Sequence, residues 1–175
     1  MLKKEVRILG ISASESQENR PIIGVIFRGS LWLDGVLTHT LQTSGKRYIS
    51  ELAGAIRKSK QYSQIHAAVF SREDILPRGR DDFRKLARMI RFPIFVLKSR
   101  GKRRRRRSSG EMWQVGSISV WSPNSKPGDV RQLFMVSCAD GQSIPEAVRT
   151  ADLIAKHVAI QRRQVTLKSK PRRLA

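Results

Sequence analysis

Short runs of almost unbroken apolar residues alternate with stretches of helical period along this chain, and that alternation leaves few folds open. Val6-Arg7-Ile8-Leu9-Gly10-Ile11, Ile22-Ile23-Gly24-Val25-Ile26-Phe27, His66-Ala67-Ala68-Val69-Phe70 and Pro93-Ile94-Phe95-Val96-Leu97 read as strands with little solvent contact. Trp32 to Thr43 reads as a further strand, antiparallel to the one before it. Gly29-Ser30 would make the turn, and Asp34-Gly35 a bulge or second turn. The period then changes: Ile49, Leu52, Ala53 and Ile56 fall at helical spacing within residues 44–62. A second helix follows the fourth strand, with Asp81 or Asp82 as its expected cap and Phe83, Leu86, Ala87 and Ile90 as its buried stripe. Met112 to Trp121 and Gln132 to Cys138 read as two more strands. Ile144-Pro145-Glu146 opens a last helix, with Val148, Ala151, Leu153, Ile154, Ala155 and Val158 on its apolar side. The expectation is an α/β fold with a mixed central sheet flanked by helices.

A chain of 175 residues suits one domain with a real core. It is placed at residues 1–161, with a basic loop at 99–111 and a basic, disordered tail at 162–175. Thirty-five Lys and Arg stand against 14 Asp and Glu, a formal net charge of +21. A compact fold with that excess repels itself unless a polyanion or counterions screen it. Nucleic acid is the leading partner, and an anionic membrane surface the next. The excess concentrates in Lys102, Arg103, Arg104, Arg105, Arg106 and Arg107, a low-complexity run that cannot pack and reads as a solvated loop. Arginine forks match phosphate oxygens bidentately. Lys168, Lys170, Arg172 and Arg173 in the tail point the same way. No segment approaches the roughly 18 apolar residues of a membrane span. The opening Met1-Leu2-Lys3-Lys4-Glu5 is not followed by an apolar stretch of signal-peptide length, so a cytoplasmic protein is expected.

Other chemistry is faint. Cys138 is the only cysteine, and it sits in an apolar run that suggests a buried, inert thiol. His39, His66 and His157 share no metal-ligand spacing with one another. Trp32, Trp113 and Trp121 are potential stacking platforms for bases, but core or strand-pairing roles suit all three better. No G-x-S-x-G elbow accompanies Ser12 or Ser14. Loops after parallel strands are where α/β folds place sites, which singles out Ser12-Ala13-Ser14 and Ser71-Arg72-Glu73-Asp74.

Arg7-Ile8-Leu9-Gly10-Ile11, Gly24-Val25-Ile26-Phe27-Arg28-Gly29 and Trp32-Leu33-Asp34-Gly35-Val36-Leu37 resemble a mainly archaeal family of uncharacterised proteins related to endonuclease V. So do the stretches at 56–64 and 92–96 and the closing helix at 144–155. The resemblance spans roughly residues 5 to 160 and implies a ribonuclease H-like fold. Endonuclease V-type enzymes use Mg²⁺, held by carboxylates at strand ends, to cleave a phosphodiester near a deaminated purine. The resemblance puts Ser12 and Ser71 where the family carries Asp, and more loosely Arg47 where it carries an acid. Asp152 falls where family members often carry His and some endonuclease V enzymes carry Asp; it is the acid left at a matched site position. One carboxylate and two hydroxyls make a poor Mg²⁺ site.

Three functions compete on this reading. The first is a non-catalytic nucleic-acid-binding protein, DNA or RNA unresolved, needing no cofactor. The second is a Mg²⁺-dependent endonuclease with a rearranged ligand set drawn from Asp152, Glu73 and Asp74, with Glu15 also near. The third is a basic interaction adaptor for a protein or membrane partner.

Overall fold

The computed structural model describes residues 5–14, 19–45, 47–98 and 112–168, with 127 and 162–168 described by the backbone alone. Seven strands among these residues form one mixed sheet: β1 (Arg7–Ala13), β2 (Asn19–Arg28), β3 (Trp32–Gln42), β4 (Ile65–Phe70), β5 (Ile94–Lys98), β6 (Met112–Val115) and β7 (Ile118–Trp121). Their order is β3-β2-β1-β4-β5-β7-β6, with β1, β4 and β5 parallel and the remaining pairings antiparallel. The helices are α1 (Tyr48–Arg57), α2 (Arg80–Met89), α3 (Pro127–Ser137) and α4 (Glu146–Lys168).

The pleat sorts β1 between two faces. Leu9 and Ile11 join Leu52, Ile56, Phe83 and Leu86 under α1 and α2. Ile8 joins Leu133, Phe134 and Val148 under α3 and the start of α4. Gly10 lies on this second face, and there it has a specific duty. A Cβ at Gly10 would come 2.1 Å from the carbonyl carbon of Ala147, so only glycine lets the α4 backbone settle directly on β1. Ala151 and Ala155 continue the close seam against Ile23 and Val25 of β2.

The β2–β3 hairpin follows the sequence reading. Gly29 takes a φ of +62° in its turn. The register skips Asp34, because Ile26 faces Gly35 and Phe27 faces Leu33. The bulge turns the Asp34 carboxylate toward Arg7 at 2.6 Å and Arg28 at 3.3 Å, giving two strand arginines a counter-charge.

Four local expectations are corrected. Residues 132–138 are not a strand but part of α3. Pro127 starts that helix, and the buried set Val130, Leu133, Phe134 and Ser137 has helical spacing. The expected strand from Met112 to Trp121 is two strands, hinged at Gly116 with a φ of +56°. Neither Asp81 nor Asp82 caps α2, since Gly79 holds the cap position with a φ of +52°. Asp82 is buried instead, accepting hydrogen bonds from the Tyr48 hydroxyl at 2.7 Å and the Arg78 backbone N–H at 2.8 Å. Finally, α4 continues to Lys168, past the tail boundary expected after residue 161.

Candidate functional site

Ser12 lies near the end of β1, and Ser71 directly follows the parallel strand β4. The pairing of Ile11 with Phe70 sets the two serines side by side, and the Ser71 N–H extends the ladder to the Ile11 carbonyl at 2.9 Å. The Ser71 hydroxyl donates to the Ser12 hydroxyl at 3.0 Å. The Ser12 hydroxyl donates in turn to Oδ1 of Asp152 at 3.0 Å. Lys156, one helical turn further along α4, places its ammonium 2.7 Å from Oδ2 of Asp152. The three residues matched by family resemblance, far apart in sequence, thus form one hydrogen-bonded chain that ends on a lysine. The close seam at Gly10 allows this, because it brings α4 within reach of a short serine side chain.

Beside this chain is a cleft of about 290 Å³ lined by Ala13, Ser14, Arg72, Asp152, Lys156, Ala159 and Ile160. Arg72 is fixed at its rim, donating from Nη2 to the Ala13 carbonyl at 2.9 Å, with Nε 3.0 Å from the Asp74 carboxylate. Arg20 donates to the backbone carbonyls of Asp74 and Ile75. Its pKa is lowered, by burial first; the Asp74 charge opposes that shift and the Arg72 charge adds to it. The Lys156–Asp152 pair is an (i, i+4) contact with the lysine side chain 69% exposed, worth roughly 0.2–0.5 kcal/mol at most.

The other candidates lie elsewhere. Glu73 pairs with Arg80 at 2.8 Å, and Asp74, 79% exposed, pairs with Arg72. Arg47 precedes α1 as its cap residue. Among the described residues, no three His, Cys, Asp or Glu side chains gather as a metal site. The loop residues Lys102, Arg103, Arg104, Arg105, Arg106 and Arg107, the tail residues Lys170, Arg172 and Arg173, and Glu15 lie outside the described residues. Lys168 is described only as the backbone end of α4. Cys138 is half-buried at the end of α3, and burial pushes its thiol up to about 11, so it stays protonated at neutral pH. Trp121 is buried and Trp113 half-buried. Trp32 takes the strand-pairing role rather than the core one, opposite Arg28 in β2 and 65% exposed. No described helix is long and apolar enough to cross a membrane.

Sequence reasoning missed Lys156, Arg20 and the placement of Arg72. The Asp152–Lys156 spacing was a visible (i, i+4) pair, but which way it faced depended on the packing of α4.

The fold is that of endonuclease V. The chain matches Ciona intestinalis endonuclease V, solved in complex with a 24mer DNA containing an inosine followed by a ribo-adenosine. The TM-score is 0.63 at 9% identity, covering 89% of this chain and 86% of that one. It also matches a protein of unknown function from Archaeoglobus fulgidus, with a TM-score of 0.73 at 21% identity over 87% of this chain and 98% of that one. In sequence it is similar to an archaeal UPF0215 protein from Methanothermobacter thermautotrophicus, 27% identical over 91% of this chain and 90% of the relative. No family model matches the chain. These likenesses agree with the archaeal, endonuclease V-related resemblance read from the sequence.

The fold family implies Mg²⁺, and the donors among the described residues do not fit it. Mg²⁺ wants a near-octahedral shell of hard oxygens with carboxylate charge. Here a single carboxylate has one oxygen on a hydroxyl and the other on an ammonium, and the two serine hydroxyls bond to each other.

Proposed function

We propose that this protein binds nucleic acid on an endonuclease V scaffold and does not cleave it. The observation that carries this reading is the Ser71–Ser12–Asp152–Lys156 chain. At the strand ends where metal-binding acids are expected, hydroxyls hold the positions and the Lys156 ammonium supplies a positive charge. An ammonium attracts phosphate but offers no metal-bound water to attack it. The net charge of +21, with Arg103 to Arg107 as one dense source, supports a polyanionic partner. The structural likeness to an endonuclease V solved on DNA supports the same partner class. A rearranged metal site is disfavoured, because Glu73 would have to leave Arg80 and, among the described residues, no three His, Cys, Asp or Glu side chains gather. A cytoplasmic setting is part of the proposal, in keeping with a lone cysteine.

The test is fluorescence anisotropy with labelled DNA and RNA duplexes and single strands over a salt series. Affinity should fall steeply with salt, the log–log slope growing by about 0.9 for each duplex phosphate neutralised. Affinity that hardly changes with salt would overturn the proposal.

A further inference from the structure

The geometry points to the cleft between the end of β1 and the later turns of α4 as the seat of one backbone phosphate, with Lys156 and Arg72 as its cationic ligands. This deepens the nucleic-acid-binding reading and rests on it, by moving one contact from the basic loop and tail into the folded domain.

Position comes first. The cleft opens at the carboxyl ends of the parallel strands β1 and β4, where α/β sheets leave room for ligands. Charge comes second. Asp152 binds Lys156 only as an exposed (i, i+4) partner, so the ammonium can turn to an incoming anion without unfolding anything. Arg72 behaves differently. Its Nη2 hydrogen bond to the Ala13 carbonyl holds the guanidinium at the rim, with Asp74 as an exposed partner, so part of its freedom is already lost before a phosphate arrives. Crowding comes third. Arg20 donates to the Asp74 backbone carbonyl, and Arg72, on the cleft wall, faces the Asp74 carboxylate. Of the charged side chains that line the cleft, Arg72 and Lys156 outnumber Asp152, and an anion would relieve that excess. Shape comes last. Ala13, Ala159 and Ile160 give the cleft an apolar wall suited to the sugar beside a phosphate, and its volume lies at the small end of ligand pockets.

The experiment compares the full chain with Lys156→Gln and Lys156→Glu by anisotropy on a labelled single-stranded oligonucleotide over a salt series. Lys58→Gln, at the end of α1 on the opposite face, serves as the control. Loss of one phosphate contact should reduce the log–log salt slope by about 0.7 in Lys156→Gln and by at least as much in Lys156→Glu, with melting temperatures unchanged. An unchanged slope in both variants, with wild-type binding intact, would overturn the cleft and leave the binding reading standing. An equal loss from Lys58→Gln would mean diffuse charge and would overturn the cleft as well. Wild-type affinity without salt dependence would remove both.

Discussion

On one face of the sheet, α1 and α2 cover β1, β4 and β5 with large side chains, and Phe70, Phe83 and Trp121 stack edge to face at the centre. On the other face, α4 lies on small residues, with Gly10, Ala147, Ala151 and Ala155 bringing two backbones almost into contact. Each face also holds a carboxylate, used differently. Asp82 is sealed under α1 by a tyrosine hydroxyl and a backbone N–H. Asp152 stands at the open end of the α4 seam, between a buried serine and a solvent-facing lysine. The first face holds the fold together. The second uses close approach to bring distant residues together at an open cleft.

That contrast can be broken deliberately. Phe83→Ala should have the largest effect, about 3–5 kcal/mol of stability lost in urea unfolding, because it empties the centre of the sealed face. Gly10→Ala comes next, near the upper end of about 1–3 kcal/mol, because the new methyl drives α4 off β1. It should also separate Ser12 from Asp152, so oligonucleotide affinity should fall with stability. A Gly10→Ala protein with unchanged stability would show that the seam is not close-packed.

Tyr48 offers a smaller, pH-dependent test. Its phenol is pushed up from 10.0 to about 12, by burial first and by its hydrogen bond to Asp82 second. Folding therefore favours the protonated phenol. That contribution is complete below pH 10 and is lost as pH rises toward about 12. Chemical denaturation across this range should show the loss in wild type and less of it in Tyr48→Phe. Smallest of all, Lys156→Ala should change stability by no more than roughly 0.5 kcal/mol, since it removes one exposed helix pair. A large destabilisation there would mean that the open end of the seam is structural after all.

Sequence made the sealed face legible. The runs at Ile22 to Phe27 and His66 to Phe70, and the spacing of Ile49, Leu52, Ala53 and Ile56, carry their periods openly. Gln132 to Cys138 was harder, because its short apolar run hides helical spacing unless Val130 and the Pro127 start are counted with it. Ser12, Ser71 and Asp152 came from family resemblance; nothing local marks two serines and an aspartate as neighbours. Lys156 and the duty of Gly10 were invisible for a shared reason, since both depend on how closely α4 approaches β1. The basic loop was plain in the sequence and lies outside the described residues.

The most direct test of the central claim is incubation of the protein with a labelled inosine-containing oligonucleotide in Mg²⁺ or Mn²⁺, reading binding and strand cleavage in the same samples. A bound and intact strand is the expected result. Metal-dependent cleavage that disappears in Asp152→Ala would contradict it.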